Sequence, residues 1–344
     1  PRVKGASVHM SRAVRYKKHL TTLQVFLSIV LVLLTVCVLV KAFFLKAPEQ
    51  KAAELPAQPA SSDTDSQQSP EEQAAQEALR SHLERKGGFY TILLSGLDDD
   101  NGGSDTNILV AVDTVNGYVY GVSIPRDSKA IIDGKARKIN YAYNKGGTEL
   151  LADTVSEQLG IPVDYTVSVN LKGFTALVDA IGGVDFDVPI NMDYDDPIQN
   201  LSIHFKKGVQ HLSGADALRV VRFRHNNDGS GYGSEDLGRM ATQQKFLKAV
   251  AKKMLSAGNI LTKIDDYAKI FNQYVDTNLT VGNLAWLGTE VLKMGVDKID
   301  FSTLPNAWKY PYIYLDPTET LTLVNTYLNP YVEDRTADDL NIPG

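Results

Sequence analysis

The stretch NILVAVDTVNGYVYGVSIPRD, residues 107–127, determines the fold class of this 344-residue chain. It contains two short segments rich in β-branched residues, Asn107–Asp113 and Gly117–Ile124, which meet through an Asn-Gly step. Asn-Gly between two such segments is a strong hairpin signal, so we expect an antiparallel pair. Phe89–Ser95 has the same character and predicts a further buried strand.

Predicted helices and strands alternate along the rest of the body, as apolar periodicity and flanking caps indicate. The predicted strands are Tyr165–Val169, Gly183–Val188 and Lys298–Thr303, and the predicted helices are Thr148–Leu159, Leu171–Ala180, Ser213–Val221, Asp236–Leu255, Thr280–Met294 and Thr318–Tyr327. Together with the hairpin, this alternation predicts an α/β sandwich around a mixed central sheet. The sequence leaves open whether a second domain begins near Gly258.

The N-terminal segment differs from the body. Residues 23–45 are almost continuously apolar, and about 20 such residues span a bilayer core. We therefore expect one transmembrane helix, retained rather than cleaved because the run is longer than the core of a signal peptide. Residues 1–22 carry Lys and Arg but no acidic residue. The positive-inside rule places them in the cytoplasm and the body outside the cell.

The remaining boundaries follow from composition. Residues 46–87 predict an extracellular tether, since Ala, Gln, Ser and Pro dominate its first half. Residues 88–344 predict one folded domain, because 43% hydrophobic content supports a substantial core. The single cysteine, Cys37, falls in the predicted membrane span, which excludes an intrachain disulfide framework and a thiol nucleophile in the body.

Carboxylates and an arginine lie where predicted strands end. Asp98 and Asp105 flank a Gly-rich turn, where paired carboxylates can share a Mg²⁺ ion or simply form a solvated acidic turn. Arg126 and Asp127 follow Pro125, which cannot extend a strand ladder. We expect this pair at the edge or mouth of the sheet.

Further guanidinium groups occur at regular spacings later in the chain. Arg222 and Arg224 are two positions apart, so they share a face if the segment is extended. Arg239 and Gln243 are four apart and share one face of a predicted helix. The guanidinium fork matches phosphate oxygens, so these residues favour a phosphorylated substrate.

Several motifs, taken together in this order, resemble one bacterial family. They are Ser104-Asp105-Thr106, Ser123–Asp127, Lys138-Ile139-Asn140, Gly182–Asp185, Leu212–Leu218, Arg222-Phe223-Arg224, Asp236–Arg239 and Gln243-Gln244. The set spans about Tyr90 to Leu255 and closely resembles the LytR-CpsA-Psr family of cell-envelope proteins. The resemblance implies an α-β-α sandwich with an apolar channel for a polyprenyl tail.

The resemblance also implies an activity. Such proteins transfer a glycopolymer phosphate from a polyprenyl-pyrophosphate carrier to a peptidoglycan hydroxyl, forming a phosphodiester and releasing polyprenyl phosphate. The partners are then the lipid-linked glycan, peptidoglycan and the membrane, and no nucleic acid is expected. Whether the polymer is teichoic acid, capsule or another glycan is not specified by the sequence.

The resemblance assigns roles to individual residues. Asp98 and Asp105 would hold Mg²⁺. The pyrophosphate would contact Arg126, Arg222, Arg224, Arg239 and Gln243. Lys138 and Asn140 would lie at or beside that site. Asp127 is left with two roles, taking the proton of the acceptor hydroxyl or orienting Arg126, and we favour the orienting role.

Two positions depart from the family pattern. Gly103 and Thr242 stand where the family commonly has arginine, and the lost phosphate donors could be replaced by Lys129, Arg137 or Lys138. Two other functions are compatible with the motifs: hydrolysis of the same pyrophosphate, and a non-catalytic lipid-binding regulator of the envelope. The aromatic stretch 309–314 predicts either a sugar-stacking rim or, as we favour here, the buried packing of a loop.

Overall fold

The structure is a computed structural model, and it describes residues 45–51, 82–97, 103–198, 201–233, 235–254 and 264–344. The chain divides into two compact units, residues 1–48 with 281–287 and residues 49–280 with 288–344. In the first unit, the side-chain amide of Asn283 donates a hydrogen bond of 2.9 Å to the Lys46 carbonyl oxygen. The second unit contains the motifs identified above.

The predicted transmembrane helix, residues 23–45, lies outside the described residues except for Leu45. None of the helices in the described ranges combines the length and the hydrophobicity that crossing a bilayer requires. The membrane anchor therefore stays a prediction.

Strands and helices are numbered here in chain order. The strands are β1 Phe89–Leu97, β2 Ser104–Asp113, β3 Tyr118–Ile124, β4 Lys129–Ile132, β5 Lys135–Lys138, β6 Tyr165–Asn170, β7 Val184–Val188, β8 Met192–Asp196, β9 Leu201–Phe205, β10 Gly208–Leu212, β11 Val275–Thr277, β12 Ile299–Thr303, β13 Asn306–Lys309 and β14 Tyr312–Leu315. The helices are α1 Asn140–Leu159, α2 Leu171–Ala180, α3 Gly214–Arg222, α4 Glu235–Met254, α5 Ile264–Tyr274, α6 Val281–Met294 and α7 Pro317–Leu323.

The central sheet is mixed, as the sequence predicts. Its strand order is β11-β6-β1-β2-β3-β12. The predicted hairpin is confirmed, because β2 and β3 pair antiparallel with Asn107 opposite Ile124. Strand β1 pairs antiparallel with β2 and parallel with β6, and β12 pairs parallel with β3. Both outer strands come from residues after 264, so the C-terminal third completes this sheet and does not form a separate domain.

Helices cover both faces of the sheet. On one face, Leu109 and Val122 of the sheet belong to a core cluster with Leu151 and Val155 of α1. On the other face, α2, α3 and α4 form a second core cluster with the two-stranded sheets β10–β7 and β8–β9. Phe186 and Phe246 pack edge-on in this cluster, with ring centroids 5.2 Å apart. The arrangement has three layers, which confirms the sandwich.

Helix α1 begins earlier than predicted and contains a kink. Gly146 and Gly147 have non-helical backbone angles, and Gly147 has φ of 66°. The predicted start at Thr148 corresponds to the second, straight part of the helix. Its end is as expected, because Gly160 adopts the left-handed conformation that is common just beyond a helix.

Part of the predicted tether packs on the folded domain. The Gln50 side-chain amide donates to the carbonyl oxygens of Lys86 and Phe89, both at 2.7 Å. Arg85 forms an ion pair of 2.8 Å with Asp164, whose side chain has no solvent exposure. Arg85 of this segment thus supplies donors to a buried carboxylate, which buried polar groups require.

Candidate active site

A cavity of about 890 Å³ lies between the central sheet and the helices of the second core cluster. Much of its wall is apolar, formed by Leu94, Ile108, Val167, Val169, Phe174, Leu177, Leu218, Val221, Phe223, Phe246 and Leu247. In the described part of the chain, its lining residues fall between Leu94 and Leu247. The described residues 264–344 are therefore not part of this wall.

The rest of the wall is polar and contains the predicted site residues. Lining the cavity are Asp105, Arg126, Asp127, Lys138, Asn140, Arg222, Arg224, Arg239 and Gln243. The remaining predicted residue, Asp98, lies outside the described ranges. The fold thus brings distant sequence motifs to one cavity, with charged groups on one part of the wall and hydrocarbon on another. The chemical roles of these residues stay predictions.

Two ion pairs organise the polar wall. Arg126 Nη1 lies 2.5 Å from Asp105 Oδ1, and Lys138 Nζ lies 3.1 Å from Asp127 Oδ1. The side chain of Asp127 is 17% exposed, against 43% for Asp105. Each carboxylate pairs with a cation, Arg126 or Lys138, that could also bind a phosphate group. A phosphate in the site could therefore replace the carboxylate as the partner of either cation.

The hairpin β4–β5 returns the chain to the Arg126–Asp127 segment. Its base is closed by backbone hydrogen bonds from Ile139 N to the Ser128 oxygen at 2.8 Å and from Asn140 N to the Arg126 oxygen at 3.2 Å. These bonds place Lys138 beside Asp127. This closure brings Lys138 and Asn140 to the cavity. Their spacing in the sequence did not predict that position.

Arg222 and Arg224 reach the cavity by a route that differs from the prediction. Arg222 is the last residue of α3, which begins after Ser213, whose hydroxyl accepts a hydrogen bond from Asp216 N. Phe223 follows in extended conformation and is only 1% exposed. The two arginines would share a face on an extended segment, and this condition is not met because Arg222 is helical. They instead flank a buried aromatic anchor at a helix end.

Arg239 and Gln243 lie on α4, as their spacing predicts, and both line the cavity. Arg239 is 9% exposed. The Gln243 amide donates to the Val221 carbonyl oxygen at 3.1 Å, which links α4 to the end of α3. Its neighbour Gln244 donates to Ser302 O at 2.7 Å and so fixes the same helix to the sheet.

Several further polar side chains of the cavity were not assigned to the site from the sequence. Asn144, Tyr194 and His225 also line the wall. The rings of Tyr194 and His225 meet edge to face, with centroids 5.5 Å apart. Burial, reinforced by Asp196, raises the pKa of Tyr194. Tyr194 belongs to a short β-strand without a distinctive motif, so its spacing gave no signal.

The two departures from the family pattern have structural explanations. Gly103 has φ of 103°, and a Cβ there would lie 3.0 Å from Asn144 Oδ1, which disfavours a larger side chain. The Thr242 hydroxyl is buried and donates to the Gly238 oxygen at 2.9 Å. Of the three suggested replacements, Lys138 lines the cavity, whereas Lys129 and Arg137 lie over the rings of Tyr314 and Tyr141.

A magnesium ion is compatible with the residues that are described. Within those residues, no three His, Cys, Asp or Glu side chains form a cluster able to hold a metal. Mg²⁺ commonly uses only one or two carboxylates and takes its other ligands from water and substrate phosphates. Asp105, partly exposed on the cavity wall, is a carboxylate of this kind.

Residues 55–328 match the sequence profile of the LytR_cpsA_psr family. The chain belongs to this family. It is 37% identical over 202 residues to the polyisoprenyl-teichoic acid–peptidoglycan teichoic acid transferase TagV of Bacillus subtilis, covering 56% of this chain and 50% of that protein. It is 36% identical over 195 residues to the corresponding TagU of Bacillus cereus, covering 55% of this chain and 60% of that protein. The matches thus span about half of the length of TagV and somewhat more of TagU.

Solved structures of the family share the fold. The crystal structure of Bacillus subtilis TagV superposes with a TM-score of 0.59 at 32% identity, over 70% of this chain and 96% of that one. A structure of TagT bound to LI-WTA superposes with a TM-score of 0.55 at 25% identity, over 69% and 88% of the two chains. The mixed α/β architecture is therefore that of the LytR-CpsA-Psr family.

Proposed function

We propose that the protein transfers a glycopolymer phosphate from a polyprenyl-pyrophosphate carrier to a peptidoglycan hydroxyl. The observation that carries the proposal is the division of one cavity into an apolar wall and a wall with four arginines and a lysine. A lipid pyrophosphate has the same division, since its tail is hydrocarbon and its head is anionic. The names of the related transferases TagV and TagU support the same class of reaction.

The donor would bind with its polyprenyl tail along the apolar wall. Its pyrophosphate would meet Arg126, Arg222, Arg224 and Arg239, and Gln243 would donate an amide hydrogen bond. Charge neutralisation and alignment are the main requirements of phosphoryl transfer, which needs little covalent chemistry from the protein. The chain therefore needs no nucleophilic serine or cysteine in this cavity.

In the reaction, the acceptor hydroxyl oxygen attacks the phosphorus next to the sugar. The bond from that phosphorus to the bridging oxygen breaks, and polyprenyl phosphate leaves with the electron pair. Arginines around the leaving group stabilise its charge, which is the usual source of catalysis in such sites. We propose that the hydroxyl proton goes to Asp127, a carboxylate of the cavity wall that pairs with Lys138.

Magnesium completes the proposal. Asp98 and Asp105 would hold the ion, which would share oxygens with the pyrophosphate and offset its charge. The chain would be anchored by residues 23–45, with residues 1–22 in the cytoplasm, residues 46–87 as the tether and residues 88–344 outside the cell. A lipid-linked donor at the outer membrane surface is within reach of a protein anchored in this way.

The test uses the full chain in detergent with a polyprenyl-pyrophosphate saccharide, a peptidoglycan oligomer and Mg²⁺, and it detects products by mass spectrometry. Arg222→Ala and Arg224→Ala should each lower kcat by about 100-fold or more, as expected when one donor to a developing charge is removed. Arg219→Ala is the matched control. Arg219 lies on the same helix and pairs with Asp216 at 2.9 Å.

Three outcomes would contradict the proposal. Transfer that is unchanged in both Arg222→Ala and Arg224→Ala would show that the site is elsewhere. Release of free glycopolymer phosphate without attachment to peptidoglycan would identify a hydrolase. Binding of the lipid without any product, with wild-type protein and Mg²⁺, would favour the non-catalytic regulator.

A further inference from the structure

Two hairpins form a surface that begins at the candidate site and extends away from it. Strands β4–β5 and β13–β14 are joined where Ser128 pairs with Ile313. Ile313 N donates to the Asp127 carbonyl oxygen at 2.9 Å, and the Tyr312 hydroxyl donates to the Ala136 oxygen at 3.2 Å. We call residues 129–138 and 306–315 the hairpin platform. The platform adjoins Asp127, the proposed acceptor of the hydroxyl proton.

The platform exposes aromatic rings to solvent. Trp308 is 60% exposed and Tyr310 is 86% exposed. The sequence-based preference for buried packing of the stretch 309–314 is wrong for Tyr310, although Ile313 and Leu315 beside it are buried. A group of exposed aromatics is uncommon on a soluble surface and usually marks an interaction site.

The platform is also cationic. Its charged residues are Lys129, Lys135, Arg137, Lys138, Lys309 and a single acid, Asp133. The whole chain, in contrast, has a net charge of -6. Lys129 Nζ and Lys309 Nζ lie 5.0 and 5.8 Å from the centre of the Tyr314 ring. Positive charge and aromatic surface therefore coincide at one place.

We propose that the hairpin platform binds the anionic saccharide strand of the acceptor. This rests on the proposed function, because it specifies how that acceptor reaches the site. The C–H bonds on one face of a sugar ring are attracted to the negative face of an aromatic ring, and the lysines complement acidic groups on the strand. Strand β14, Tyr312–Leu315, is roughly 10 Å long, which is long enough to hold more than one sugar ring.

A membrane surface is the competing partner for aromatic and cationic side chains. The composition of the platform favours a saccharide. Among its large aliphatic side chains, which the structure describes throughout, Ile131 is exposed at 44%, whereas Ile132, Ile313 and Leu315 are buried. Insertion into a bilayer gains free energy from buried apolar area, and the exposed large hydrophobic side chains of this fully described surface are Ile131, Trp308 and Tyr310 alone.

The first experiment measures binding without catalysis. Full-length protein in detergent is sedimented with insoluble peptidoglycan in the absence of donor. Combined Trp308→Ala and Tyr310→Ala substitution should weaken binding by about tenfold, as loss of a central aromatic contact does at interfaces. Val209→Ala, which removes a side chain that is 75% exposed on β10, should leave binding unchanged. Lys309→Gln should weaken binding more than Lys207→Gln, a matched exposed lysine.

The second experiment uses fluorescence from the platform itself. The chain has two tryptophans, so Trp286→Phe leaves Trp308 as the sole reporter. Adding a soluble peptidoglycan oligomer should shift its emission to the blue, whereas anionic phospholipid vesicles should not. Because neither binding measurement requires transfer, both decide the proposal even if the protein proves inactive.

Kinetics separates this proposal from the proposed function. The double variant Trp308→Ala/Tyr310→Ala should raise KM for the acceptor by about tenfold and leave KM for the lipid donor unchanged. Arg222→Ala should lose transfer yet still bind peptidoglycan. Unchanged peptidoglycan binding in the double variant would overturn the proposal, as would a loss confined to vesicle binding. A rise in donor KM alone would also overturn it and would assign the platform to the donor glycan.

Discussion

Replacing Asp164 with alanine should destabilise the folded domain more than any exposed substitution discussed above. The Asp164 carboxylate accepts hydrogen bonds from Arg85 Nη1 and Nη2, from Thr91 N and Oγ1, and from Lys51 N, at 2.8–3.1 Å. Its side chain has no solvent exposure, and that of Arg85 has 10%. The substitution would leave a guanidinium and two backbone amides without this acceptor in a largely buried place.

The expected cost is about 3–5 kcal/mol, the usual result when one partner of a buried ion pair is removed. In a domain of this size, 1 kcal/mol changes Tm by about 2–4 °C, so Tm should fall by roughly 6–20 °C. Thermal unfolding of the full chain, followed by circular dichroism, measures the change. The control is Asp185→Ala, because Asp185 is 69% exposed and pairs with His211 at the surface. That control should lose less than about 1 kcal/mol.

A double-mutant cycle makes the test sharper. Arg85→Met removes the other partner, so the combined Asp164→Ala/Arg85→Met variant should be less destabilised than the sum of the two single variants. The expected interaction energy is about 0.5–3 kcal/mol. Additive effects, or an Asp164→Ala cost below about 1 kcal/mol, would refute the view that this buried pair fixes residues 49–51 and 82–87 to the domain.

Two further predictions concern stability. The hydrogen bond to Asp339 raises the pKa of His82 above 6.5, so its stabilising contribution is complete below the unfolded value and is lost as pH rises through the folded one. Urea unfolding should therefore show the largest deficit of His82→Asn near pH 6 and a smaller one near pH 8; a deficit that does not change with pH would contradict this assignment. Gly103→Ala should cost about 1–2 kcal/mol, because of its positive φ and the contact with Asn144, whereas Gly87→Ala, with open space around it, should not destabilise.

The central strands of the sheet were predictable because each has a clear signal in its own local sequence. β1, β2 and β3 are β-branched, and the Asn-Gly turn fixes the pairing of the last two. The helical spacing of Arg239 and Gln243 also placed both on one face of α4. In these cases the structure is decided by interactions between residues that are close in sequence. A local sequence pattern is therefore enough to predict it.

The missed features depend on contacts between distant residues. The hairpins β4–β5 and β13–β14 were not predicted, because their strands are short and each is stabilised by the other through Ser128 and Ile313. The exposure of Trp308 and Tyr310 likewise depends on which side of that pairing they occupy. The placement of Arg222 at a helix end was missed because the extended conformation begins only at Phe223, one residue later than expected.

The outer strands of the central sheet come late in the chain, which affects how an exported chain would fold. Its outer strands, β11 and β12, are supplied by residues 275–277 and 299–303, whereas the last proposed catalytic side chain is at residue 243. A chain exported from its N-terminus would thus deliver every reactive group to the cell surface while both sheet edges still lacked their partners. Unpaired edges invite pairing with other chains. If the domain is exported as proposed, its folding depends on the prompt arrival of its C-terminal third, and truncations there should be recovered as aggregates rather than as inactive soluble protein.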